Sequence, residues 1–120
     1  MRFLHFDESE YAERRQRAIA AAQENSLDAL LIFTQESMFY LTGYDTTGYV
    51  KFQGMVLTSD GVPHLLTRSA DLRQSALTSV IEDIRIWVDR EGADPGKDLQ
   101  DVLADLRLAG NRIGVETDAY

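Results

Sequence analysis

No cysteine occurs among the 120 residues. Disulfides, thiolate nucleophiles and Cys-type zinc sites are excluded together. Only two histidines are present, His5 and His64. They form no His-x-x-x-His pair, so an imidazole-based metal site has little to build on; each reads as a surface or structural histidine. No apolar run approaches the roughly 20 residues a membrane-spanning helix needs. After Arg2 the chain turns acidic instead of entering an apolar h-region, so no signal peptide is evident and a cytoplasmic location is expected. Basic charge is also scarce, with 12 Lys and Arg against 20 Asp and Glu for a net −8. Nucleic acid and anionic membrane are therefore not expected as partners. Arg14, Arg15 and Arg17 cluster within one helical stretch and read as a solvated face.

Motifs that would carry chemistry unaided are missing too. There is no Gly-x-Ser-x-Gly elbow, no Gly-x-Gly-x-x-Gly and no Walker-type loop. A Ser-His-Asp triad or a two-metal carboxylate site could be assembled only on paper. No catalytic residue and no metal ligand is expected in this chain.

What is present is an ordinary globular composition, 44% hydrophobic and 27% charged, in a length typical of one domain. Asp7 and Glu10 have the spacing of a capping box. Tyr11, Arg15, Ala18, Ile19 and Ala22 then share one helical face, with a stop at Asn25 or Ser26. DALLIFT, residues 28–34, reads as a strand covered on both faces. Residues 35–41 make about two turns of helix ended by Thr42-Gly43. Residues 49–58 and 62–67 read as a strand pair around the turn Ser59-Asp60-Gly61, with Pro63 marking an edge or a strand end. Ser69 is placed to cap a short helix reaching Leu77. DIRIWV, residues 83–88, alternates as a strand does. Asp94-Pro95 opens a helix whose stripe is Leu99, Val102, Leu103 and Leu106 and whose end is Gly110-Asn111. A last strand covers 112–116. The order α-β-α-β-β-α-β-α-β predicts an α/β domain of three layers, a mixed β-sheet flanked by helices. The expected core is Leu30, Ile32, Leu41, Val56, Leu65, Ile84, Ile86, Leu99, Leu103 and Ile113, with Trp87 on the opposite face from Ile84 and Ile86 and partly exposed. The chain stops at Tyr120 just after a strand, an ending expected of a cut between domains.

One stretch stands apart: FYLTGYDTTGY, residues 39–49, crowds four aromatic rings, three threonines and two glycines together. With the Asp28-Ala-Leu-Leu-Ile-Phe-Thr strand before it and the Ser59-Asp-Gly61 hairpin after it, Ser37-Met-Phe-Tyr-Leu-Thr-Gly-Tyr44 resembles the N-terminal domain of the creatinase/prolidase family. Further matches are Phe6-x-x-x-Glu10-Tyr11-x-x-Arg14 at the start and Gly114-Val115-Glu116-x-Asp118-x-Tyr120 at the end. The resemblance covers nearly the whole chain. It implies a domain, with a ribonuclease H-like motif, that precedes a C-terminal pita-bread metallohydrolase domain absent from residues 1–120.

By that resemblance the parent is an Xaa-Pro dipeptidase, Xaa-Pro aminopeptidase or creatinase-like hydrolase, metal-dependent and expected to be a homodimer. Its two divalent ions (Mn, Co or Zn) belong to the C-terminal domain. The chain itself needs no cofactor and is expected to be inactive alone. Its expected partners are that catalytic domain, a second copy, and a small peptide or amidine substrate. Tyr40 and Leu41 are expected to anchor the short helix in the core, while the loop from Tyr44 and Asp45 onward presents rings and hydroxyls to a neighbouring active site. Arg68 is the candidate clamp for a substrate carboxylate in the other subunit, since a guanidinium fork matches a carboxylate. The plainer reading of Arg68 is a surface salt bridge to Asp71. The alternative for the whole chain is a stand-alone ligand-binding or protein-interaction domain of the same fold.

Overall fold

Successive strand residues point to opposite faces, and in this chain both faces are apolar. The computed structural model describes residues 4–45, 52–108 and 110–116. In order, α1 spans Glu8–Glu24, β1 Ala29–Ile32, α2 Gln35–Thr42, β2 Gly54–Thr58, β3 Pro63–Arg68, α3 Leu72–Thr78, β4 Asp83–Trp87, α4 Pro95–Asp105 and β5 Ile113–Val115. A 3-10 turn, Ser69–Asp71, leads into α3. The strands form one five-stranded sheet in the order β4-β3-β2-β1-β5. β1–β2 and β2–β3 are antiparallel, whereas β1–β5 and β3–β4 are parallel. The mixed, three-layer α/β architecture expected from the order of elements is the one observed.

One core lies between the sheet and α1–α2. Ile32, Met55, Leu57 and Leu65 from the strands meet Ile19, Met38, Leu41, Tyr44 and Ile81 there. The second core lies under α4, where Ala29, Leu31, Val56, Leu66 and Trp87 meet Leu99, Val102 and Leu108. The alternation Leu30/Ile32 against Ala29/Leu31 in β1 sends neighbours to different cores, as the pleat requires.

This two-sided cover corrects the reading of β4. Trp87 does sit opposite Ile84 and Ile86, but its face is covered too, so it is 7% exposed, and its indole Nε1 donates to the Phe52 carbonyl at 2.9 Å. Ile86 is the exposed member, at 44%. Leu30, Ile84, Leu103 and Ile113 are partly buried residues packed against the cores.

Helix ends follow local chemistry in most cases. Thr34 caps α2, its hydroxyl accepting from the Ser37 amide at 3.3 Å, and Asp94 caps α4, accepting from Lys97 N at 3.1 Å. Asp7 occupies the N-cap position of α1 but makes no side-chain cap bond, so the expected capping box does not form. Ser69 lies inside the 3-10 turn, and α3 starts three residues later. α4 stops at Asp105, before Gly110, because Arg107 takes a positive φ of 60° and the Leu108 amide reaches back to the Leu103 carbonyl at 2.9 Å. That is a Schellman-type closure made without glycine. Gly61 closes the β2–β3 hairpin with φ 82°, its amide donating to the Thr58 carbonyl at 2.8 Å.

Candidate functional site

The Tyr-Leu-Thr-Gly-Tyr segment is a corner in which almost every group is committed. Leu41 and Thr42 are buried at the end of α2. The Thr42 hydroxyl donates to the Met38 carbonyl at 2.6 Å and accepts from the Tyr44 amide at 3.2 Å. Gly43 takes the left-handed conformation at φ 84°, the usual glycine C-cap. A Cβ at Gly43 would lie 2.9 Å from both the Thr78 carbonyl oxygen and the Tyr11 hydroxyl, so α1 and the end of α3 close on this backbone.

Two ring assignments made from the sequence are corrected here. Tyr40 is 49% exposed and does not anchor α2 in the core; its ring lies 4.5 Å from the Arg14 guanidinium, in a cation–π contact shared with Phe6. Helical periodicity places Leu41 inward, and its neighbour Tyr40 takes the outer face. Tyr44 turns inward to 0% exposure instead of presenting its ring outward. Its Oη donates to Gln53 Oε1 at 2.9 Å and lies 3.1 Å from Thr67 Oγ1. A phenol buried beside polar strand-end residues satisfies its hydroxyl in the interior. Residues 46–51, the rest of the expected loop, lie outside the described residues.

Asp45 is the first side chain to leave this corner, 56% exposed and 3.8 Å from the His5 ring. Its backbone is tied at both atoms: the amide donates to Thr78 Oγ1 at 3.2 Å, and Gln74 Nε2 donates to its carbonyl at 2.8 Å. Arg68 ends β3, directly after the Thr67 that contacts Tyr44. Arg68 thus adjoins the Tyr44 hydroxyl along the chain through Thr67, with its side chain leaving β3 toward the other face. Asp71 Oδ2 approaches Arg68 Nε at 3.5 Å, the pairing expected on the plainer reading, and the Arg68 side chain is 25% exposed. That approach is an ion pair without hydrogen-bond geometry, and among the described residues the buried Arg68 Nε has no hydrogen-bond partner. Gln53 Nε2, just before β2, is also buried with no hydrogen-bond partner among the described residues.

Sequence reasoning gave Glu116 no role beyond its place in a matching motif. It follows β5, and its carboxylate reaches the start of α2. Oε1 accepts from the amides of Phe33 and Thr34 at 2.9 and 2.7 Å, while Oε2 accepts from the hydroxyls of Thr34 and Ser37. Burial alone would raise this carboxyl. The Ser37 hydroxyl with the Thr34 and Phe33 donors outweighs it and holds the group below the ordinary glutamate range. No local pattern shows that an acid 79 positions downstream of Ser37 folds back onto it.

His64, read from the sequence as a surface or structural histidine, has neighbours at both ring nitrogens. Its Nδ1 meets Asp83 Oδ2 at 2.6 Å and its Nε2 lies 3.3 Å from Thr58 Oγ1. Burial opposes ionisation of Asp83, but bonds from Arg85 and His64 hold its pKa down. Among the described residues no helix is long and apolar enough to cross a membrane.

A mixed sheet between helical layers, closed by a Thr-Gly corner and a returning glutamate, defines a class of domain, and comparison with known proteins supplies the family. The creatinase/prolidase N-terminal domain model matches residues 14–120, and the chain belongs to that family. A hydrolase/peptidase of uncharacterised activity from Sinorhizobium fredii, y4tM, is 29% identical over 127 residues, covering 100% of this chain and 32% of that protein. The chain thus spans about a third of the length of this curated relative. The crystal structure of dipeptidase PepE from Mycobacterium ulcerans superposes with TM-score 0.68 at 27% identity, over 82% of this chain and 27% of that one. A proline dipeptidase structure from Streptococcus pneumoniae gives TM-score 0.74 at 20% identity, over 89% and 76% of the two chains, and shows the same fold.

Proposed function

We propose that this chain is the non-catalytic N-terminal domain of a metal-dependent hydrolase of the Xaa-Pro dipeptidase, Xaa-Pro aminopeptidase or creatinase-like kind. In this reading it contributes to a homodimer and shapes the substrate site, and the chemistry resides in a C-terminal domain with two divalent ions. The observation that carries the reading is the family match over residues 14–120, together with a relative about three times as long. No residue of this chain is assigned to the metals.

Within this reading the substrate-facing groups are Arg68 and Asp45, and the buried Tyr44 anchors the corner that carries Asp45. Arg68 suits a carboxylate. Its Nε is buried with Asp71 Oδ2 at 3.5 Å as ion-pair partner, a contact that orients the fork. Asp45 is exposed on a backbone fixed from α3 and suits a substrate amine or a partner's cationic group.

The test uses the intact protein and Xaa-Pro dipeptides with manganese. Release of proline is expected. Arg68→Lys keeps the charge and loses the fork, so kcat/KM should fall about tenfold or more. Absence of cleavage for Xaa-Pro peptides and creatine-like amidines alike would favour the stand-alone binding domain instead. Unchanged kinetics in both Arg68→Lys and Arg68→Ala would return Arg68 to its Asp71 pair.

A further inference from the structure

Four donors converge on Glu116, and each belongs to the junction of β1 and α2. The Glu116 amide first continues the β5–β1 ladder by donating to the Leu31 carbonyl at 3.0 Å. Its side chain then folds over the end of β1, where it meets the amides of Phe33 and Thr34 and the hydroxyls of Thr34 and Ser37. The first turn of α2 is therefore capped twice, once by its own Thr34 and once by the residue that follows β5. A negative group here also faces the positive end of the helix dipole.

The same first turn holds the far end of the helix. Gln35 Nε2 donates to the Tyr44 carbonyl at 2.9 Å, so it spans α2 and fixes the chain just beyond Gly43. Past that carbonyl the Asp45 amide is held by Thr78 and its carbonyl by Gln74, and the Thr42 carbonyl accepts from the Val80 amide at 2.9 Å. A rigid α2 thus lies between Glu116 at one end and the Tyr44-Asp45 corner at the other.

We infer that Glu116 is a positioning residue, which sets the placement of α2 and through it the Tyr44-Asp45 corner. Its effect on turnover rests on the hydrolase reading above; its effect on the corner does not. The carboxylate does not touch Asp45. It removes freedom from the helix that delivers Asp45, and an exposed side chain on a fixed backbone is presented in one place. Because Glu116 directly follows β5, any tilt of that strand's end is communicated to α2 by the four bonds.

The experiment compares Glu116→Ala and Glu116→Gln with the wild type in the intact protein. Asp94→Ala serves as the control, since it removes a side-chain cap from a different helix, α4. Amide hydrogen exchange is read at Phe33, Thr34, Tyr44 and Asp45. Glu116→Ala should speed exchange at all four by about tenfold or more, and Glu116→Gln, which keeps one acceptor oxygen, by less. Asp94→Ala should leave these amides unchanged. In the dipeptidase assay Glu116→Ala should raise KM several-fold with kcat nearly intact, a split that general destabilisation does not produce. Faster exchange confined to Phe33 and Thr34 would overturn the inference and leave Glu116 a local cap. Should Glu116→Ala not fold, the Glu116→Gln profile decides by the same criterion. An intact protein that cleaves no Xaa-Pro or amidine substrate would end the hydrolase reading, while the exchange pattern would still decide the role of Glu116.

Discussion

Tyr44 Oη donates a 2.9 Å hydrogen bond to Gln53 Oε1, and both residues are buried. The bond joins the turn after α2 to the strand end before β2, with Thr67 of β3 as third member, 3.2 Å from the same Gln53 oxygen. A polar triad of this kind sits where the sheet meets the Thr-Gly corner, and it accounts for an aromatic residue that the sequence alone places on a loop.

Tyr44→Phe keeps the ring and removes this bond. Gln53 Oε1 retains Thr67, so the loss should be moderate, about 1–2 kcal/mol in urea unfolding. A change near zero would show that the hydroxyl contributes no net stability.

Gly43→Ala should be more severe. The substitution forces an L side chain to φ 84° and drives its Cβ to 2.9 Å from the Thr78 carbonyl, a backbone atom that cannot swing away. Strain of about 1–3 kcal/mol is expected before any repacking is counted. Wild-type stability in Gly43→Ala would mean that the corner can open without loss.

Neighbours in β4 should respond oppositely to truncation. Trp87→Ala empties a buried site and removes the bond to Phe52, with an expected cost of about 3–5 kcal/mol. Ile86→Ala at an exposed position should cost less than about 1 kcal/mol. Equal losses at the two sites would contradict the placement of β4 between the layers.

Acid should weaken the fold through Glu116 and Asp83. Both carboxyls have folded pKa values below their unfolded ones of about 4, so the unfolded chain binds more protons as pH falls. Their contribution is complete above the unfolded values and is lost as pH drops through the folded ones. Stability measured from about pH 6 downward should therefore decline once the unfolded carboxyls begin to protonate, below about pH 5. Glu116→Gln should flatten part of that decline, and an identical slope in the variant would remove Glu116 from the account.

Much of this architecture was legible without coordinates because it depends on local pattern. Gly61 and Gly43 sit where positive φ is needed. Asp94-Pro95 opens α4, and the Leu99/Val102 stripe faces the sheet. The order of strands and helices gives the layered α/β class, and the Tyr-Leu-Thr-Gly-Tyr segment pointed to the family. Asp7 shows where spacing alone fails: its position is a cap, but its side chain makes no cap bond.

What only the tertiary structure decided is which surfaces are covered, and by what. Alternation placed Trp87 opposite Ile86, but it could not say that α4 and its flanking residues bury the tryptophan while the other layer leaves the isoleucine open. Tyr44 carries no local signal for burial; its interior partners are Thr67 of β3 and Gln53 just before β2. Glu116 and Thr34 are 82 positions apart, and their bond exists because β5 pairs in parallel beside β1 and ends where α2 begins. Short-range pattern fixes φ, periodicity and caps. Contacts across the sheet depend on strand order and on which layer lies above each strand, and those are properties of the assembled fold.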